Sequence, residues 1–242
     1  MPTPTKRRPP GRARVALVTG AGTRVGRAIA LHLFRHGWTV AAHYRSHRPP
    51  PRLAALQADL SAPDGPDRLA RAFRRRFRRL DLLVCSAAIF GRRPLARTDA
   101  AFFDAQMALN ARAPLLLARA LLPLLRRSGG SVVNVADVGG ALVPWPGYSA
   151  YGASKAALRA ATEAMALELA PRVRVNAVAP GTVLWPERTP IPERRRLVRR
   201  IPLRRTGTPG DVAEAVRFLA DAPFVTGALL PVDGGRHLSG RG

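Results

Sequence analysis

The sequence predicts a single α/β domain built on a doubly wound parallel sheet with helices on both faces. Three observations carry that prediction. Short β-branched or apolar runs alternate with helical segments from end to end. A glycine-bearing turn joins the first strand to the first helix. The 242 residues, 47% of them apolar, suffice for one large core and leave no room for a second domain.

In chain order, RVALVT (14–19) reads as the first strand, followed by the glycine turn and an amphipathic helix through His36. WTVAAHY (38–44) is the second strand and AALQAD (54–59) a weak third. An arginine-rich helix precedes DLLVCSA (81–87), the fourth strand. Two helical segments around 99–127 lead to SVVNVA (131–136), and a helix over roughly 149–170 leads to VRVNAVA (173–179). A lid-like segment near 182–208, a helix at 209–220 and a last strand near ALLPVD (228–233) complete the pattern. Parallel strands joined by right-handed crossovers place ligands at the strands' C-terminal ends.

Composition narrows the function classes. Residues 1–12 read as a basic, Pro-rich disordered tail ahead of a domain over 13–242, with no apolar leader before the first strand. The longest uninterrupted apolar runs, such as ALLPLL at 120–125, are too short to span a bilayer, so no membrane partner is expected. A lone cysteine, Cys85, cannot form an internal disulfide and agrees with a reducing, cytoplasmic setting. The formal charge of +25 admits two readings, polyanion binding or solvated helix faces. The basic runs at 71–79 and 193–200 are spread out and lack an aromatic-rich nucleic-acid motif, so any nucleic-acid binding is expected to be weak and non-specific. Of the 40 basic residues only Lys6 and Lys155 are lysines. A lysine surviving in so arginine-rich a chain points to work that needs a compact ammonium.

The turn TGAGTRVG (19–26) supplies Gly20, Arg24, Val25 and Gly26 where a pyrophosphate would meet backbone N–H groups at a helix N-terminus. Without the usual G-x-G-x-x-G spacing, its position in the first βα turn matters more than its letters. The second strand ends in Tyr44, Arg45 and Ser46 with no carboxylate, a pattern that suits the 2′-phosphate of NADPH better than the bare ribose of NADH. Asp59 would bond the adenine amino group or cap the following turn. At the other end, YGASK (151–155) sets Tyr151 and Lys155 four apart on one helical face, where the ammonium is expected to lower the phenol's pKa.

TGAGTRVG, ADL at 58–60, Asn110, SVVNVAD, YGASK and RVNAVAPG (174–181) together resemble the short-chain dehydrogenase/reductase superfamily over residues 13–238, which implies a Rossmann-type fold. Within it the chain is similar to bacterial pteridine reductases: Arg24 stands where most members carry the middle glycine, HYRS follows the second strand, and Asp137 replaces the usual catalytic serine. The resemblance implies NADPH held by the residues above together with Leu60, Ser86, Ala87, Ala88, Pro180 and Gly181. It implies a catalytic set of Tyr151, Lys155, Asp137 and Asn110, and a pterin or folate bound by Arg24, Phe90, Asp137, Tyr151 and Trp185. It also implies a homotetramer. The family's N-N-A-G/S segment reads CSAA at 85–88, which removes an asparagine that normally braces the central strands. Two other readings stand beside this one: a carbonyl or 3-oxoacyl thioester reductase, and a catalytically idle polyanion-binding relative.

If the solitary body lysine has been read correctly, Lys155→Arg loses turnover despite keeping its charge, because a forked guanidinium cannot replace an ammonium. Tyr151→Phe is expected to lower turnover at least ~100-fold, the usual share of general acid catalysis. Steady-state rates of the two variants check both statements, and a fully active arginine variant would contradict the first.

Overall fold

The computed structural model describes residues 13–185 and 189–239; the expected tail over 1–12 lies outside them. Seven strands form one parallel sheet: β1 (Val15–Val18), β2 (Thr39–Tyr44), β3 (Ala54–Gln57), β4 (Leu82–Cys85), β5 (Ser131–Val135), β6 (Arg174–Pro180) and β7 (Leu229–Val232). Their order is β3-β2-β1-β4-β5-β6-β7, so the winding reverses between β1 and β4. Helices α1 (Arg24–Arg35), α2 (Gly65–Arg76), α3 (Ala100–Met107), α4 (Ala113–Ser128), α5 (Val138–Ala141), α6 (Ser149–Leu169), α7 (Ile191–Arg199) and α8 (Pro209–Asp221) provide the connections. The expected α/β class and each expected strand are present.

The central strands are apolar on both faces, as parallel strands covered twice must be. Leu17, Leu83, Val132 and Val175 pack with Leu69, Phe73, Leu117 and Leu121 beneath α2 and α4. Ala16, Val18, Val84 and Val133 pack on the opposite side with Ile29, Leu33, Val212 and Val216 of α1 and α8. Asp81, at the entrance to β4, is buried and takes a two-pronged bond from Arg79 Nε and Nη2 (2.7 and 2.8 Å) as well as Val15 N–H (3.0 Å). That pairing satisfies a carboxylate which would otherwise oppose burial.

Two segments differ from expectation. The helical pair at 99–127 is continuous: α3 passes through a π-helical turn at Ala108–Arg112 into α4. The resulting 29-residue helix is long and apolar enough to cross a membrane by length and composition, its most apolar stretch having a mean hydropathy of 1.3, yet 56% of that stretch is buried within the fold. Its apolar stripe is core: Leu109, Leu117, Leu121 and Leu125 face the sheet. The segment at 182–208 is not purely a loop, since it carries α7. On α2 the basic run behaves as an outer face, with Arg71, Arg75 and Arg76 exposed while Leu69, Ala70 and Phe73 are buried.

Phe73 is fully buried and stacks on Phe77 at 4.9 Å. Phe73→Ala is expected to cost about 3–5 kcal/mol of stability. Urea unfolding of the variant checks this, and a loss below about 1 kcal/mol would mean that α2 contributes little to the core.

Candidate active site

The reversal between β1 and β4 opens a cavity of about 1140 Å³ along the C-terminal edge of the sheet. All the residues assigned from sequence to cofactor or substrate line it; of the catalytic set, only Asn110 does not.

At one end the β1–α1 turn forms the floor. Gly20 has φ +66, and a Cβ there would sit 2.9 Å from Ala87 Cα; one on Gly22 would sit 1.8 Å from His47 O. Side chains are thus excluded where this turn packs against the backbone that follows β4 and β2. Arg24, the first residue of α1, is exposed and holds φ +50. Glycine adopts that conformation freely, whereas arginine there stores strain of about 1 kcal/mol or more. The strain explains why a glycine is usual at this place, and it makes the arginine a candidate for chemistry rather than packing. Val25 and Gly26 continue into the first turn of α1, which holds no acidic residue.

Sequence reasoning passed over the residue that fixes this turn. Buried His43 accepts from Gly20 N–H through Nδ1 (3.2 Å), and its Nε2 lies 3.1 Å from Ala58 O. Accepting at one nitrogen and donating at the other requires the neutral ring. Burial enforces that state by lowering the His43 pKa to about 4. One imidazole therefore ties the β1 turn to the end of β3.

Tyr44, Arg45 and Ser46 follow on β2 and its loop, and no carboxylate stands among them. Asp59 takes Ser61 N–H and Oγ–H on one oxygen (2.9 and 2.6 Å), so it does cap the turn; these bonds lower its pKa. Leu60 packs beside it as part of the core. Beyond β4, Ser86 N–H and Ala87 N–H both donate to Thr19 Oγ1 (2.9 and 3.0 Å). Thr19 thus joins β1 to β4 where CSAA lacks the bracing asparagine, and Ala88 continues the wall.

At the other end, groups from β5 and α6 converge. Tyr151 Oη donates to Asp137 Oδ2 at 2.8 Å, and Gly139 N–H donates to Asp137 Oδ1 at 2.7 Å. Lys155 Nζ donates to Val135 O at 2.9 Å. The expectation that Lys155 lowers the phenol's pKa is not met: burial first, and then the charge of Asp137, raise it. The ammonium lies 5.8 Å from the ring centroid and is directed to the β5 carbonyl. Tyr151 is therefore a neutral O–H donor across ordinary pH. Burial also raises the Asp137 pKa, against the bonds from Tyr151 and Gly139 and the charges of Lys155 and Arg236. It lowers Lys155 to about 8.

Asn110 acts one layer behind. Its side chain exchanges two bonds with the Ile89 backbone (both 3.0 Å) and donates to Ser154 Oγ (3.0 Å), which donates to Tyr151 O (2.7 Å). With both amide hydrogens committed, its side chain positions Tyr151 and the loop after β4 that carries Phe90. Phe90 is half exposed, stacks on Tyr148 at 4.9 Å and meets Tyr151 edge-on at 4.8 Å. Pro180 and Gly181 close the far wall and Trp185 stands above them, half-buried. Trp145, Tyr148 and Arg236 also line this end, and sequence reasoning missed all three. The aromatic cluster WPGY at 145–148 was the available signal.

The chemistry of this edge fits a nicotinamide dinucleotide. Bare glycine backbone and a helix start suit the pyrophosphate, Arg24 and Arg45 suit a further phosphate, and Lys155 keeps two N–H groups beyond the one given to Val135 for ribose hydroxyls. When bound, such a cofactor supplies hydride.

A family model described as enoyl-(acyl carrier protein) reductase matches residues 20–237. The chain is 36% identical to protein FixR of Bradyrhizobium diazoefficiens, over 94% of this chain and 88% of that one. It is 34% identical to a 3-oxoacyl-[acyl-carrier-protein] reductase of Synechocystis, over 92% and 96%. A solved structure from Sinorhizobium meliloti, described as a short-chain alcohol dehydrogenase, superposes with a TM-score of 0.85 at 30% identity, covering 92% of this chain and 96% of that one.

Because the Lys155 pKa falls to about 8, the ammonium is intact below that pH and lost above it. In the free enzyme, kcat/KM for the cofactor should therefore decline as pH rises through about 8. Initial rates from pH 6 to 10 check this, and a level profile across pH 7–9 would contradict it.

Proposed function

The chain belongs to the short-chain dehydrogenase/reductase family and is a nicotinamide-dependent oxidoreductase, and we propose that it uses NADPH to reduce a pterin-type ring, a dihydropterin or dihydrofolate, to its tetrahydro form. One observation carries this reading: Tyr151 Oη donates to the carboxylate of Asp137 at 2.8 Å, where ketone reducers of the family carry a serine.

A serine hydroxyl donates to a ketone oxygen and supports the negative charge that develops there. In either protonation state the Asp137–Tyr151 pair offers a ketone oxygen at most one O–H, where serine and tyrosine offer two, and when ionised the carboxylate can only accept and would repel that charge. For a ring C=N bond the demand is different. Hydride arrives at carbon, and a proton must reach the adjacent nitrogen. A desolvated carboxyl of raised pKa, bonded to a neutral phenol, is suited to hold that proton. In the protonated pair Asp137 donates to Tyr151 Oη, which leaves the phenol O–H free for the substrate nitrogen. Lys155 orients the cofactor ribose, and Asn110 with Ser154 keeps Tyr151 in place. Phe90 and Tyr148 offer flat faces beside Tyr151, which suits a planar heterocycle. The cationic β2 loop, Arg45 and Ser46 with Arg24, favours NADPH over NADH.

A second reading, 3-oxoacyl thioester reduction, is favoured by the relatives, among them the Synechocystis 3-oxoacyl-[acyl-carrier-protein] reductase. The two separate at Asp137. With NADPH and NADH each tested against dihydrobiopterin, dihydrofolate and an acetoacetyl thioester, the native chain should prefer NADPH and the pterins. Asp137→Ser should lower pterin turnover about 100-fold, in the range of a displaced acid/base group, and raise the ketone rate. A native enzyme that ignores the pterins, reduces the thioester well and is indifferent to Asp137→Ser would establish the second reading instead.

A further inference from the structure

One cation at the catalytic end has no assigned work. Arg236 lies on the turn after β7, and that turn is built around Asp233. Asp233 Oδ1 accepts from Gly235 N–H (2.9 Å); Oδ2 accepts from His237 N–H (2.7 Å) and lies 2.8 Å from His237 Nδ1. Both carboxylate oxygens are committed to the turn, so they hold the backbone beneath Arg236 without pairing with its side chain. The guanidinium carbon lies 4.9 Å from the Trp145 ring centroid, and Nη1 donates to Thr182 Oγ1. Arg236 is thereby pinned among the β7 turn, the β5–α6 loop and the root of the 182–208 segment, with its side chain in the cavity wall.

Its surroundings set it apart in an arginine-rich chain. Arg79, also partly buried, meets the carboxylate of Asp81. Arg14, Arg93, Arg119 and Arg159 each reach an acid as well. Arg236 is half-buried, and among the described residues it forms no ion pair. The nearer oxygens of Asp137 are taken by Tyr151 and Gly139. Burial disfavours the charge of Arg236 most, the charges of Asp137 and Asp233 support it without an ion pair, and Arg200 on the same wall opposes it. Arg236 gives one hydrogen bond to a neutral hydroxyl, and the carboxylates near it are spent on other donors, so N–H groups of its fork remain to meet a further anion in the cavity.

We infer that Arg236, with Arg200 beside it, binds an anionic group of the substrate, a carboxylate or a phosphate, and so selects substrates that carry a negative charge away from the bond being reduced. This rests on the reductase reading of the site, though not on the identity of the ring.

The test compares substrates that differ only in that charge. For pterins they are 6-hydroxymethyl-dihydropterin with its phosphate ester, and dihydropteroate with its neutral methyl ester. For thioesters they are acetoacetyl-4′-phosphopantetheine and the neutral acetoacetyl-pantetheine, which lacks only the phosphate. The readout is the ratio of kcat/KM for the charged substrate to that for the neutral one, which cancels general damage to the enzyme. The native ratio should be tenfold or more in low salt, roughly what one charge-assisted contact supplies. It should fall at least ~10-fold in Arg236→Met, fall less in Arg200→Met, and be partly restored in Arg236→Lys. The two charged pterins distinguish carboxylate from phosphate. If no pterin is reduced, the ring assignment fails and the thioester pair still decides the charge question. A native ratio near one, a ratio that survives Arg236→Met, or a loss in NADPH affinity (by titration of cofactor fluorescence) as large as the loss in the ratio would overturn the inference.

Discussion

Parallel strands cannot be joined by hairpins, and this constraint shapes the whole molecule. Each connection must cross a face of the sheet, so helices cover both faces and the strands' C-terminal ends share one edge. Where the order reverses between β1 and β4, the crossovers depart in opposite directions and leave the edge uncovered. The polar groups of the site reach that gap from elements far apart in sequence. Thr19 and His43 secure the floor, Asn110 braces one wall, and Asp137, Tyr151 and Lys155 meet at the end of β5.

Burial then gives these groups their chemistry. The same desolvation lowers His43 and Lys155 and raises Asp137 and Tyr151. In every case the neutral form is favoured. A neutral imidazole can accept from Gly20 while donating to Ala58. A neutral phenol can give a proton, and a carboxyl of raised pKa can replenish it. Lys155 resists only in part, since the Asp137 charge supports its ammonium. Cys85, in the same strand edge, shows what burial does without such partners: its thiol is pushed up to about 12 and is chemically quiet.

Arg24 and Asp137, like the CSAA segment, stand where the resemblance leads one to expect other residues, and these two carry a local cost. Arg24 occupies a left-handed backbone conformation that a glycine would adopt without strain. Asp137 brings a charge into a desolvated wall. Costs of this kind persist where the side chain has a use. On the proposed pterin reading, these two positions carry the weight in choosing among substrates.

The sequence by itself determined the α/β class, the seven strands and the Tyr151–Lys155 spacing, because those follow from local hydrophobic periodicity and helical geometry. Nearly every residue it assigned to the site does line the cavity, since ligands of a doubly wound sheet must sit where strands give way to loops. Tertiary structure alone decided how those residues are partnered. Lys155 bonds Val135 and not the phenol, Asn110 is spent on Ile89 and Ser154, and His43 clamps Gly20 to Ala58. Arg236 enters the site from a turn 85 residues beyond Tyr151. No periodicity encodes such pairings: the distance between two side chains from different strands, and the water excluded around them, exist only once the sheet has been assembled.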